Sequence, residues 1–392
     1  MRGTLIPTTW TYDPTLFAPP RYRRACTYDA FLPDPLETLP AIAAEVAGTI
    51  SAGEEAIRRL NTVAKPVLGP LARLLLRTES IASSKVEGMQ VDARSLARAE
   101  ARADVGQTIG REAAEVLANI DAMQFAVEEA AAAEMFTADH ICQIHRVLLA
   151  GDRRAGSVRT TQNWIGGNDY NPCGAAFVPP PAAEVGRLLG DLVRFCNDES
   201  LPPLAQAAFA HSQFETIHPF EDGNGRTGRA LVQVILRRRG IAPDYVPPIS
   251  VVLAADKNSY IAGLVAFRES REDELLEVFA VAAVRAADLA ASYLTRVEEL
   301  QDAWREQLRG LVKREDAAAW LLIAELPGLP IISTAVGMAR TGRSRPRVQE
   351  AIDQLVDAGV LLPLSEGRRN RQWEAAGMLD LLADLEAGMQ RQ

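Results

Sequence analysis

The run His218-Pro219-Phe220-Glu221-Asp222-Gly223-Asn224-Gly225-Arg226-Thr227-Gly228-Arg229 constrains this chain more than any other segment. Apolar residues at helical spacing precede it over 209–217 and follow it over 230–236, so it reads as helix, tight loop and the start of a second helix. A helix start carries backbone N–H groups with no partner inside the helix, and the aligned peptide dipoles add positive potential, so anionic oxygens bind there. Gly223 and Gly225 can take positive φ and let a phosphate approach the backbone. Arg226 and Arg229, three apart, share one helix face, where two guanidinium forks can grip polyphosphate oxygens. Imidazole titrates near neutral pH, which suits His218 to accept a proton, and Asp222 offers a hard oxygen ligand to a divalent cation.

This run resembles the HPFxDGNGRxxR signature of the Fic (filamentation induced by cAMP) domain family, with every fixed position present. The resemblance implies a mainly α protein: a Fic-fold helical bundle with a β-hairpin flap, a helical N-terminal domain and a C-terminal winged helix-turn-helix. It implies an enzyme that moves AMP from ATP onto a Ser, Thr or Tyr hydroxyl of a protein target, or of itself, and releases pyrophosphate. Under it, His218 is the general base and Asp222 holds Mg2+. Asn224 and the backbone of Gly223 and Gly225 form the anion hole, Arg226 meets the β-phosphate and Arg229 the γ-phosphate, with Thr227 and Gly228 completing the ATP-binding run. Glu221 is the variable position and receives no role.

Upstream, Ser83-Ser84-Lys85-Val86-Glu87-Gly88 resembles the (S/T)xxxE(G/N) inhibitory motif of the same family, placed N-terminal to the core as in its class II members. Alone, the hexapeptide is an ordinary helix end with a glycine stop. Beside the signature it implies an autoinhibited enzyme in which Ser83, Glu87 and Gly88 form the inhibitory element and Glu87 competes with the γ-phosphate for Arg229.

Between the motifs, Trp164 and Ile165 are strand formers, 166–172 are turn formers and 175–178 can return as a second strand, which predicts a β-hairpin. It resembles the family's flap, GxYRxxxVxIGG followed by YxPP, which clamps a target segment by main-chain pairing. Trp164, Ile165, Gly166 and Gly167 are its target-binding residues under that resemblance. The chain departs from the pattern in carrying Val158 for the usual aromatic and Asn163 for a hydrophobic residue. Residues 260–264 resemble the YYxxL segment with Ile261 for the second Tyr, which places Tyr260 on the ATP side; read as a bare tyrosine on a helix, Tyr260 packs.

A chain of 392 residues holds two or three cores, and three domains are expected: 1–106, N-terminal, with the inhibitory helix over about 71–88; 107–295, catalytic; and 296–392, a linker helix and winged helix. The net charge of −9 speaks against general attraction to nucleic acid or membrane. Cys26, Cys142, Cys173 and Cys196 lack CxxC spacing and no apolar leader opens the chain, which favours a reducing cytoplasm and free thiols. No run of about eighteen apolar residues occurs, so no membrane span is expected. His140 and His145, five apart on the helix 137–149 capped by Thr137 and Asp139, do not share a metal-binding face and read as structural, as does His211.

The N-terminal stretch 14–24 is expected to be extended, followed by helical patterns at 36–49, 56–60 and 71–86. The Ala-rich segment 107–134 opens the core and an amphipathic helix over 273–294 closes it. Helical patterns at 317–326, 333–338 and 345–358, then strand patterns at 360–364 and 371–374, make three helices and a ribbon, the layout of a winged helix. Arg340, Arg343, Arg345 and Arg347 at the third helix and Arg368, Arg369 and Arg371 in the wing fit DNA contact. Glu350, Asp353 and Asp357 on the same helix fit an interaction or homodimer module instead. The alternatives to AMP transfer are a DNA-binding regulator whose Fic core is a sensor, removal of AMP in the same pocket, or transfer of another phosphate-containing group.

Overall fold

The computed structural model describes all residues except 13, 16, 39–40, 64–68, 105, 315–316, 365–370 and 387–392. In chain order the elements are β1 (Gly3–Trp10), β2 (Cys26–Pro33), α1 (Ala44–Val63), α2 (Gly69–Val86), α3 (Ala93–Ala103), α4 (Arg111–Phe125) and α5 (Ala138–Leu148). There follow α6 (Val185–Cys196), α7 (Pro203–Ile217), α8 (Asn224–Arg238), α9 (Ile249–Ala255), α10 (Lys257–Arg268), α11 (Glu272–Arg309) and α12 (Ala318–Glu325). The chain ends in β3 (Ile331–Ser333), α13 (Thr334–Thr341), α14 (Arg345–Asp357), β4 (Leu361–Pro363), β5 (Gln372–Ala375) and α15 (Met378–Glu386). The mainly α expectation holds, and no single helix among the described residues is long and apolar enough to cross a membrane.

Two compact units arise, and they cut across the expected segments 1–106, 107–295 and 296–392. The first holds 1–52, 124–240 and 258–281; the second holds 53–123, 241–257 and 282–392. The expected border at 295 falls inside α11, a helix of 38 residues whose apolar positions continue well past 294: Val297, Trp304 and Leu308 are buried.

In the first unit α7 packs on α6 and α8, and α5 packs on α8. Helix α7 is buried on all faces, so it shows no amphipathic stripe. Two of its polar residues bond inside: Thr216 donates to the Ser212 carbonyl at 2.7 Å, and Gln206 to the Phe195 carbonyl at 2.8 Å. The stretch 14–24, expected to be extended, includes a 3-10 turn at Pro20–Tyr22, and a pair of strands flanks it. β1 and β2 pair antiparallel over their full length, from Gly3 opposite Pro33 to Trp10 opposite Cys26. Pro7 within β1 hid this strand in the sequence, since proline is compatible only with an edge position, which β1 occupies.

The second unit is centred on α2, whose polar residues are as buried as its apolar ones. Thr78, Ser80 and Ser84 satisfy their hydroxyls on carbonyls four residues back, and Glu79 accepts from the backbone N–H and hydroxyl of Ser250 at 2.8 and 2.6 Å. Its C-terminal part carries α12, α13 and α14 and the antiparallel sheet β3-β5-β4 around Leu322, Ile352, Leu355 and Trp373. Ser333 caps α13 and Gly342, at φ 63°, ends it. β3 and α15 were not expected. Arg340, Arg343, Arg345 and Arg347 are exposed, while Arg368 and Arg369 lie outside the described residues.

Candidate active site

His218 ends α7 in the left-handed region, at φ 48° and ψ 60°, with its N–H donating to the Phe214 carbonyl at 2.9 Å. That conformation costs a non-glycine residue about 1–2 kcal/mol, so the surroundings must enforce it. The chain turns again at Gly223, φ 76°, which caps α8. A Cβ there would stand 3.1 Å from Leu148 Cδ2 and 3.4 Å from the His145 ring, so both the backbone angle and the space demand glycine. At Gly228 a Cβ would come within 3.0 Å of His211 Nδ1 and Phe214, and the missing side chain lets α8 lie close on α7.

Asn224 braces this loop from inside. Its Oδ1 accepts the Phe220 N–H at 2.9 Å and its Nδ2 donates to the Phe220 carbonyl at 2.8 Å, so the side chain is engaged within the loop. Arg226 is 3% exposed, and its Nε and Nη1 have no hydrogen-bond partner among the described residues; the Thr227 hydroxyl is buried in the same way. A buried guanidinium with two unmatched donors is chemically suited to an anion. Arg229 is also buried, on the same face of α8. The Asp222 carboxylate is exposed, accepts the Gly223 N–H at 2.6 Å and lies 3.9 Å from Arg226 Nη2. Among the described residues no three His, Cys, Asp or Glu side chains form a metal cluster. A single carboxylate still fits Mg2+, which keeps waters and takes substrate phosphates as its other ligands.

Three side chains hold the loop, of which Arg159 and Asn163 were given no role in the sequence and His145 was read as structural. Arg159, 3% exposed, donates from Nε to the His218 carbonyl at 2.9 Å, from Nη1 to Thr161 O at 3.0 Å, and from Nη2 to Pro180 O at 2.6 Å and Ile217 O at 3.3 Å. Its backbone N–H donates to Pro219 O at 2.9 Å. Burial lowers this guanidinium to about 10, still charged at neutral pH. Asn163 Nδ2 donates to the His218 and Phe220 carbonyls at 3.2 and 3.0 Å. His145 accepts the Gly156 N–H on Nδ1 at 2.9 Å, which leaves the proton on Nε2 to donate to the Asp222 carbonyl at 2.9 Å. Its ring lies flat on Phe220, centroids 3.7 Å apart, and burial pushes its pKa below the ordinary value. The arginine stood in the flap pattern quoted above, the one signal that could have flagged it.

The flap is less regular than a hairpin. Its strands reduce to one antiparallel bridge, Ile165 with Phe177, because Gly166 and Gly167 turn at φ 74° and 79° and prolines follow at 179–181. Trp164 donates to Asn168 O at 2.6 Å and meets Trp10 edge-on, with centroids 5.7 Å apart. Tyr170 stacks on Tyr22, and the Phe31 N–H donates to Val178 O at 2.9 Å, so a backbone bond joins β2 to the flap. Cys26 and Cys173 form a disulfide across 147 residues, which corrects the expectation of free thiols for these two; Cys142 and Cys196 are free. Spacing could not show this, since β2 and the flap meet only in three dimensions. Tyr260 is buried, its hydroxyl 2.7 Å from His211 Nε2.

Ser83, Glu87 and Gly88 belong to the second unit, at the C-terminal end of α2. Ser83 is buried, whereas Glu87 and Gly88 are exposed, with Gly88 at φ 93°.

Residues 135–236 match the model of the Fic/DOC family and residues 48–128 that of the Fic/DOC family N-terminal region. These two stretches of the chain are therefore similar to the Fic/DOC family. It is 39% identical over 114 residues to protein adenylyltransferase fic-1 of Caenorhabditis elegans, which is 28% of this chain and 21% of that protein. It is 35% identical over 116 residues to protein adenylyltransferase Fic of Drosophila persimilis, again 28% and 21%. The match thus spans about a fifth of the length of these curated relatives. A Fic family protein from Desulfovibrio desulfuricans G20 shares the fold over 86% of this chain and 98% of its own, at 20% identity and a TM-score of 0.53. A fragment of Fic-1 from C. elegans does so over 63% and 72%, at 23% identity and a TM-score of 0.50.

Proposed function

We propose that the chain transfers AMP from ATP to a hydroxyl side chain of a protein, itself included, with release of pyrophosphate. The observation that carries this reading is the juxtaposition of His218, the glycine turn at the start of α8 and the buried Arg226 with two unmatched donors. The incoming hydroxyl oxygen attacks the α-phosphorus, the bond from that phosphorus to the bridging oxygen breaks, and the proton passes to His218. Backbone N–H groups at the start of α8 and the Arg226 and Arg229 guanidiniums receive the phosphate oxygens as their charge builds. Asp222 would hold Mg2+, whose charge offsets that of the α- and β-phosphates.

The same reading takes the enzyme as resting in an off state. The support is the motif Ser83 to Gly88 with its exposed Glu87: a carboxylate and the γ-phosphate compete for the Arg229 guanidinium, and ATP is left out of line for attack while Glu87 wins. Exposed Arg340, Arg343, Arg345 and Arg347 around the start of α14 support duplex DNA as a partner of the C-terminal module, read as a winged helix.

The test is incorporation of labelled AMP by the full chain, with mass measurement of the adduct. Glu87→Gly is expected to raise self-labelling by at least tenfold, and adding His218→Ala to abolish it. Labelling that survives loss of His218 would overturn the mechanism. An adduct of another mass, or removal of AMP from a labelled protein, would replace AMP transfer by one of its alternatives.

A further inference from the structure

His218 and Ser270 are the non-glycine residues at positive φ among those described, and His218 is the one at the reacting centre. Asn224 Nδ2 supplies the Phe220 carbonyl from within the loop, whereas Pro219 has no N–H to offer and the His218 carbonyl takes its donors from another segment. One side-chain amide supplies both: Asn163 Nδ2, at 3.2 and 3.0 Å. Arg159 reaches the His218 carbonyl too, but it also binds Thr161, Pro180 and Ile217 and so is part of the frame. Asn163 is half-buried and directly precedes Trp164 and Ile165, the exposed end of the flap. Its Oδ1 is buried with no partner among the described residues, so the amide is oriented by its two donor bonds. A hydrophobic residue stands at this place in the flap pattern that the chain otherwise resembles, so the amide is a property of this chain.

We propose that Asn163 is a positioning residue: its amide holds the backbone of His218 in the left-handed turn that aims the imidazole, and thereby ties the flap to the base. The proposal rests on the AMP-transfer reading for its kinetic consequence and not for its geometric one. Because Asn163 touches the carbonyls of the loop and none of the phosphate-binding donors, its loss lowers turnover without weakening nucleotide binding.

The experiment uses the full chain carrying Glu87→Gly and compares Asn163→Ala, Asn163→Leu and Asn163→Asp. Leu supplies the family's apolar character, and Asp keeps the shape but turns two donors into acceptors facing carbonyls. Self-labelling at saturating ATP is expected to fall about 10- to 100-fold in Asn163→Ala, further in Asn163→Asp, with KM for ATP within twofold of the parent. Labelling within threefold of the parent, or a loss expressed in KM alone, overturns the proposal. A second measurement stands apart from catalysis. The chain has four histidines, so the imidazole resonance of His218 can be assigned in histidine-labelled protein by its absence from His218→Ala. That resonance shifts in Asn163→Ala whether or not AMP is what the enzyme transfers; an unchanged resonance overturns the proposal. Failure of Glu87→Gly to label, with the resonance shifted, sinks the AMP-transfer reading and leaves the positioning role standing.

Discussion

The signature loop and the turn that carries Glu87 each follow a long buried helix, α7 and α2, yet opposite kinds of chemistry hold them. In the signature loop the carbonyls of residues 217 to 220 and of Asp222 each receive a short bond from Arg159, Asn163, Asn224 or His145. Of these donors Arg159, Asn224 and His145 are buried and Asn163 is half-buried. The turn that carries Glu87 is exposed at Glu87 and Gly88, and long side chains fasten its flanks. Lys257 Nζ donates to Val86 O at 2.5 Å, and Lys85 Nζ pairs with Glu386 of α15 at 2.8 Å. The same Glu386 oxygen accepts the Ala93 N–H at 3.3 Å, so one carboxylate grips both sides of the turn. On the proposed reading, a base at His218 needs one fixed position, whereas a Glu87 that must give way to a phosphate is better held by long side chains that can let go.

The largest effect expected from breaking this contrast is at Arg159. Arg159→Ala strips donors from four carbonyls, with a loss of about 3–5 kcal/mol, and calorimetry should show Tm of the first unit falling by roughly 10 °C. A fall below about 2 °C would mean that the loop holds itself and that the contrast with the inhibitory turn is false.

The disulfide comes next. It joins β2 to the flap beside Asn171, whose Nδ2 donates to Tyr22 O at 2.9 Å, and beside two aromatic pairs. Closing a long loop restricts the unfolded chain, typically by about 2–4 kcal/mol. Cys26→Ser should therefore lower Tm and speed proteolysis of the flap, and dithiothreitol should do the same to the parent while leaving the variant unchanged. If the reductant does not move the parent, the aromatic pairs alone fix the flap.

What could be read from the chain divides along the same line. Local pattern was enough for the signature, because 209–217 and 230–236 show where helices must lie and the glycines show where they must stop. It was enough for α12, α13 and α14, where Ser333 and Gly342 punctuate. Nothing local showed that Arg159 and Asn163 face the carbonyls of residues 217 to 220, more than fifty residues away, nor that Cys26 meets Cys173, 147 residues on. The interleaving of the two units was equally hidden, since α1, α4 and α11 each run through a unit boundary. Helix α15 was not expected, although Met378, Leu379, Leu382 and Leu385 are buried along it, and without the fold nothing linked Glu386 to Lys85.

The smallest effect on stability, and the most informative about control, is expected at Glu386. Burial pushes its carboxyl above the usual carboxylate range, and Lys85 and the Ala93 N–H recover only part of that. A raised folded-state pKa means that the protonated form is favoured on folding: the contribution is fully present below the unfolded carboxylate pKa and is lost as pH rises through the folded one. At neutral pH the ionised group therefore opposes folding, and Glu386→Gln should leave Tm equal or slightly higher, the difference vanishing in acid where both side chains are neutral. The same variant removes the charge that retains Lys85. In the chain with Glu87 intact, self-labelling with AMP should rise severalfold, though less than in Glu87→Gly, and Lys85→Glu combined with Glu386→Lys should restore repression. Release without destabilisation separates a latch from a structural strut. A Glu386→Gln protein that is silent in labelling while Glu87→Gly is active would show that the inhibitory turn keeps its place without the C-terminal helix, and would erase the difference between the two turns.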